Sequence, residues 1–130
     1  MKPMTTITGL LIVLFFCRST LAGSVSRSQF TSEVVDREPV DRVQIITTSA
    51  REVTYFTELS ELQNQEVTHQ WLLDDTVIFE KKFAVGGPRW RVWSSKTVRP
   101  GMTGTWRVNT LDSSGNRILS ERLVVERPED

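Results

Sequence analysis

Eleven consecutive positions concentrate the chemistry of this chain: Gly86-Gly87-Pro88-Arg89-Trp90-Arg91-Val92-Trp93-Ser94-Ser95-Lys96. They hold two of the four tryptophans, three positive charges and a glycine–proline turn. Gly86 and Gly87 can take positive φ at no steric cost, and Pro88 fixes its own φ, so Gly-Gly-Pro predicts a turn leading into a strand. Side chains alternate along a strand. Trp90 and Val92 then face the core, while Arg89, Arg91, Trp93 and Ser95 face outward, with Lys96 adding charge beyond them. Such a ladder could stack as Arg–Trp–Arg, at roughly 0.5–1 kcal/mol per exposed cation–π contact. An indole held this way would take a sugar ring, and its arginines an acidic group. In the plainer alternative Trp93 only covers the sheet, helped by the arginine stems.

Other reactive side chains are sparse. His69 is the only histidine and sits between Val67 and Trp71 on the apolar side of its strand, the setting of a hydrogen-bonded core or rim residue. The single cysteine, Cys17, lies in the N-terminal segment, which leaves the domain no disulfide and no thiolate ligand. With one histidine, no zinc or copper site is expected. Neither Asp74-Asp75 nor the stretch from Asp112 to Asn116 has calcium-loop spacing. No metal and no cofactor are therefore expected. Ser94-Ser95 falls within a strand, not in a Gly-x-Ser-x-Gly elbow. Glu58, Glu61 and Glu66 flank one turn and read as solvated. No catalytic residue is assigned, and an enzyme is not expected.

The elements that must position these residues are short strands. Gln29 to Val35 and Val43 to Thr48 are expected strands on either side of Pro39, which marks a bend at a sheet edge. Glu52–Leu59, Glu66–Leu73, Thr76–Val85, the tryptophan strand, Gly104–Leu111 and Ile118–Glu126 follow, separated by polar turns such as Asp74-Asp75. No helical period persists. About seven strands with regular turns predict an immunoglobulin-like antiparallel β-sandwich, with Trp71 as a core anchor and a small β-barrel as the fallback. Alternation puts His69, Lys81 and Glu121 on inward faces. Either β-bulges move such charges outward or Lys81 pairs with Glu121.

The chain has 130 residues and no formal net charge, which allows one domain and no nucleic-acid surface. Lys2, an apolar run from Ile7 to Phe16 and the small residues around Ala22 read as an export signal over residues 1–22. The run is short for a stable membrane span; retention as an uncleaved N-terminal anchor is the alternative. Residues 23–28 are expected as a flexible lead-in, 29–127 as the domain and 128–130 as a polar tail.

Asp36-Arg37-Glu38-Pro39-Val40-Asp41, Tyr55-Phe56-Thr57-Glu58-Leu59, Val67-Thr68-His69-Gln70-Trp71, the Gly86–Lys96 block and Gly104-x-Trp106-x-Val108 with Gly115-Asn116 occur in that order. Together they resemble the bacterial family known as domain of unknown function 2914, with Gln70 standing where a basic residue is usual. The resemblance implies export or membrane attachment and no assigned activity. The expected function is a non-catalytic interaction module of the periplasm or cell exterior, its partner a protein or a cell-envelope glycan. A glycan-binding module built on Arg89, Arg91 and Trp93 is the second reading, and an uncharacterised hydrolase the third.

Overall fold

The computed structural model describes residues 23–47 and 50–128. The export segment expected at residues 1–22 lies outside them. In chain order the strands are β1 (Ser24–Thr31), β2 (Val34–Val35), β3 (Glu38–Pro39), β4 (Ile45–Thr47), β5 (Arg51–Ser60), β6 (Glu66–Leu73), β7 (Thr76–Ala84), β8 (Arg89–Val98), β9 (Gly104–Leu111) and β10 (Arg117–Glu126). A three-stranded sheet runs β1-β5-β8, a five-stranded sheet runs β4-β10-β9-β6-β7, and β2 and β3 form a small hairpin. The two larger sheets make an immunoglobulin-like β-sandwich and not the closed barrel of the fallback reading. It is not antiparallel throughout: β4 runs parallel to β10, with Ile45, Ile46 and Thr47 opposite Val124, Val125 and Glu126.

Alternation builds the core. Val53, Tyr55 and Leu59 of β5 face Val67 and Trp71 of β6 and Trp106 and Val108 of β9, all fully or nearly fully buried. Trp71 and Trp106 meet edge to face at 6.2 Å, a geometry that favours aromatic pairs beyond area burial. The apolar residues fall into two clusters. One is centred on Phe30, Tyr55, Trp71, Trp106 and Leu123; the other holds Leu59, Leu62, Val67, Val85 and Val92. Position 57 on β5, 69 on β6 and 94 on β8 lie between them along their strands, and all three are polar.

Two tight turns share one conformation. Asp74 and Asp75 have φ of 47° and 66°, and Asp36 and Arg37 have 51° and 63°, the paired left-handed residues of a two-residue hairpin. Pro39 sits in the second of these hairpins, opposite Val34, where no central ladder needs its missing donor.

Several expectations change. Most of the lead-in at residues 23–28 belongs to β1, whose Ser24 to Ser28 run along β5 from Ser60 to Thr57. Its small polar side chains concealed a strand held by backbone bonds. The strand expected from Val43 to Thr48 starts at Ile45, with Val43 bridging Phe30, and is described to Thr47; its last position, 48, lies outside the described residues. Gly86 and Gly87 do not use positive φ, which occurs at Gly101, Gly104 and Gly115. A Cβ on Gly86 would instead lie 2.8 Å from Cη2 of Trp90, so the glycine makes room for an indole. Bulges do occur, between Val25 and Arg27, Trp71 and Leu72, and Arg117 and Leu119. They leave His69 and Glu121 facing inward all the same. Glu121 lies opposite Val108 and accepts a hydrogen bond from the Ser28 hydroxyl of the other sheet. Lys81, beside His69 on the edge strand β7, stays exposed with Nζ 5.3 Å from the Phe83 ring. β9 and β6 separate Lys81 from Glu121, so the two do not pair.

Candidate functional site

The outer face of the small sheet is organised by register. Arg27 of β1 lies opposite Glu58 of β5, and Glu58 opposite Arg91 of β8. A carboxylate between two guanidiniums turns a repulsive row into an attractive one. Arg27 forks onto Glu38 at 2.8 and 3.0 Å and onto Glu58 at 3.2 and 3.3 Å. Arg89 donates through Nε to Glu58 at 2.7 Å, and Arg91 through Nη1 to Glu38 at 2.6 Å. The Ser26 hydroxyl donates to Glu58 at 2.9 Å. Hydrogen bonds from Arg27, joined by Arg91, hold the Glu38 carboxyl at about 2. Arg27, with Arg89 and Ser26, holds Glu58 at about 2 against the opposing effect of its burial. Both stay ionised at neutral pH and cannot serve as general acids there. Glu58, read from the sequence as a solvated turn residue, is 8% exposed and central to the network.

This pairing occupies the guanidiniums that an Arg–Trp–Arg stack would use. Trp93 is half-buried and lies opposite Phe56. Among the described residues the cation–π contacts are Arg27 over Phe56 and Lys81 over Phe83. The guanidiniums are taken by carboxylates, which bind them more strongly than a ring face. Trp90, expected in the core, is 39% exposed. It lies at the start of β8, on the face of Val92, and its six-membered ring covers Gly86 and Gly87. Lys96 points to the face of Val92 and Ser94, opposite to Trp93, and borders neither cleft described next.

Two clefts, each of about 270 Å³, flank β8. Arg37, Arg89, Trp90, Arg91 and Trp93 line one. Lys81, Phe83, Arg91, Val92 and Trp93 line the other. Arg91 and Trp93 belong to both. Among the described residues β8 pairs only with β5, so its other edge is open to a partner strand. The sequence offered Arg89, Arg91 and Trp93. It did not offer Arg27, Arg37, Glu38, Lys81 or Phe83, because hairpin placement and strand register bring those in. The one visible signal was the charge density around Pro39.

His69 lies elsewhere, sealed in the core at 0% exposure. Trp71 Nε1 donates to Ser94 Oγ at 2.9 Å. The Ser94 hydroxyl then donates to His69 Nδ1 at 2.8 Å, and Nε2–H to Thr57 Oγ1 at 2.9 Å. Thr57 completes the chain by donating to the Val92 carbonyl at 3.5 Å. This sequence of donors assigns the Nε2–H tautomer. Burial, with a smaller effect of Lys81, pushes the imidazole down to about 3. A neutral, doubly bonded ring between two sheets cannot take a proton from a substrate in solvent. The Ser94–His69 pair therefore has the atoms of a nucleophile and base but no access. Among the described residues, no group of three or more His, Cys, Asp or Glu side chains is placed to hold a metal ion.

Comparison with known proteins agrees with the family resemblance over the second half of the chain. Residues 64–125 match the model of a family described as Protein of unknown function (DUF2914). That span takes in Val67–Trp71, the Gly86–Lys96 block and Gly104–Val108, and stops short of Asp36–Asp41 and Tyr55–Leu59. No curated protein sequence matches the chain. A solution NMR structure of a CARDB domain from Pyrococcus furiosus superposes with a TM-score of 0.46 and 11% identity, covering 80% of this chain and 95% of that one.

Proposed function

We propose that this protein is a non-catalytic, extracytoplasmic interaction module that receives an acidic, extended segment of a partner protein along β8. The observation that carries the reading is the open β8 edge lying between two clefts lined by Arg37, Arg89, Arg91 and Lys81 together with Trp90, Trp93 and Phe83. An added strand would satisfy the unpaired backbone groups of β8, and its acidic side chains would meet four cations: Arg89 and Arg91, paired with Glu58 and Glu38, and Arg37 and Lys81, which take part in no ion pair among the described residues. The sealed histidine network and the arginine-bound carboxylates support the non-catalytic part. The signal-like composition of residues 1–22 supports the export part.

The test is backbone NMR of the purified protein titrated with a synthetic peptide alternating glutamate and valine. Binding should shift the β8 amides, slow their hydrogen exchange and weaken as salt rises. Trp90→Ala should reduce affinity about tenfold, as anchors of this type do, while leaving the melting temperature nearly unchanged. Shifts that avoid β8 would overturn the proposal. The exposed Trp90 indole favours one second reading, an acidic glycan stacked on that ring. Uronic-acid oligosaccharides perturbing Trp90 without protecting β8 amides would select it.

A further inference from the structure

The two outer faces of the sandwich treat opposing arginines differently. On the small sheet Glu58 stands between Arg27 and Arg91. On the large sheet Arg107 of β9 lies directly opposite Arg122 of β10, with no carboxylate between them. Like charges at that spacing are destabilising unless something neutralises them. The acids nearby are poorly placed to do so. Asp74 Oδ1 accepts the Thr105 backbone N–H at 3.0 Å. Asp75 reaches Arg107 at only 3.5 Å, and its side chain is 88% exposed. Among the described residues Arg122 and Arg117 take part in no ion pair, and both are exposed.

Arg117 belongs to the same patch because of a break in the ladder. The bulge in β10 between Arg117 and Leu119 shifts the register beside β9, and bulges re-aim the side chains next to them. Arg107, Arg117 and Arg122, with Ser120 between the last two, then border one depression of about 570 Å³. Three guanidinium forks and a hydroxyl provide donors to several oxygens of one anion, which suits a tetrahedral group better than a planar carboxylate. The volume exceeds that of a bare ion and leaves space for what the ion is attached to.

We propose that this depression on the large sheet is a second binding site, specific for a phosphate or sulfate ester and separate from the β8 clefts. The ester supplies the negative charge that the Arg107–Arg122 row lacks. Its source is a soluble phosphate-bearing molecule or a lipid headgroup.

The experiment titrates the purified full chain with inorganic phosphate and with glycerol phosphate at constant ionic strength, followed by backbone NMR. A parallel arm measures co-flotation with vesicles of phosphatidylglycerol in phosphatidylcholine. The expected result is saturable shifts centred on Arg107, Ser120 and Arg122. Arg122→Gln should weaken binding about tenfold, the loss of one charge-assisted contact. Asp75→Asn should strengthen it, since the competing carboxylate is gone. Without ligand, Arg122→Gln should melt no lower than the wild type, because it relieves a like-charge contact. Vesicle binding lost in Arg122→Gln assigns the lipid source, and soluble binding alone assigns the free ester. Shifts that do not saturate, that persist in Arg122→Gln or that centre on Arg89 and Arg91 would overturn the proposal.

Discussion

The buried histidine makes a stability prediction with a separable pH window. His69 is held near 3 in the fold against an ordinary 6.5. Below pH 6.5 the unfolded chain gains a proton on this residue while the folded chain does not. Unfolding therefore takes up about one proton between pH 6.5 and the folded value, and stability falls as pH falls. The slope approaches about 1.4 kcal/mol per pH unit below 6.5, so for His69 alone acidification from pH 6.5 to 4.5 should cost about 2 kcal/mol. That is an appreciable share of the 5–15 kcal/mol typical of a domain. Glu38 and Glu58 act lower. Their folded values of about 2 lie below the ordinary 4.5, so their stabilisation is complete about a unit above 4.5 and is lost as pH falls through 4.5 toward 2. Between 6.5 and about 5.5 the slope belongs to His69, because below that the two carboxyls begin to take up protons in the unfolded chain. Urea unfolding followed by tryptophan fluorescence across that window would measure it, with His69→Gln as the flat control. A wild-type profile that is already flat, or a slope that survives in His69→Gln, would refute the sealed, neutral imidazole.

Two further perturbations probe the small sheet. Glu58→Gln leaves Arg27 and Arg89 sharing an amide where a nearly buried carboxylate stood, and should cost about 1–3 kcal/mol in urea unfolding at low salt; an unchanged midpoint would reduce the network to surface decoration. Gly86→Ala keeps an allowed backbone but places a Cβ 2.8 Å from the Trp90 ring. It should push the indole outward, seen as greater acrylamide quenching of a variant whose Trp71, Trp93 and Trp106 are phenylalanine.

What was legible in the sequence follows the range of the interactions involved. Period-two alternation gave the strands from Glu52 onward and the inward positions of Trp71, Trp106 and Val108, because each depends on neighbours two positions away. The Asp74-Asp75 turn was equally local. The first part of the edge strand β1, before Gln29, was not legible because Ser24, Ser26 and Ser28 carry no hydrophobic pattern; it is held by its backbone pairing with β5 and by the Ser26 and Ser28 hydroxyls bonded to Glu58 and Glu121. Trp90 obeyed alternation but not burial. Its strand face is the inner one, yet at the first turn of β8 the side chain folds over Gly86 and remains partly in solvent.

The site was harder for a related reason. Arg89, Arg91 and Trp93 were visible as a cluster, but whether an arginine is free or neutralised depends on its cross-strand partner. Arg91 stands opposite Glu58 only because β5 and β8 pair with Thr57 opposite Val92, and its own carboxylate partner, Glu38, comes from the β2–β3 hairpin; a slip of one residue would turn every side chain to the other face. The same dependence on register separates the two faces of this molecule. On one face a glutamate stands between the arginines of the row Arg27–Glu58–Arg91; on the other Arg107 and Arg122 lie opposite each other, with only the exposed Asp75 at 3.5 Å from Arg107. The free energy that Glu58 contributes to the first face is absent from the second. A pair left repulsive on a well-packed sheet costs stability unless a ligand supplies the missing charge, and an anion at Arg107 and Arg122 would supply it without any tryptophan on that face.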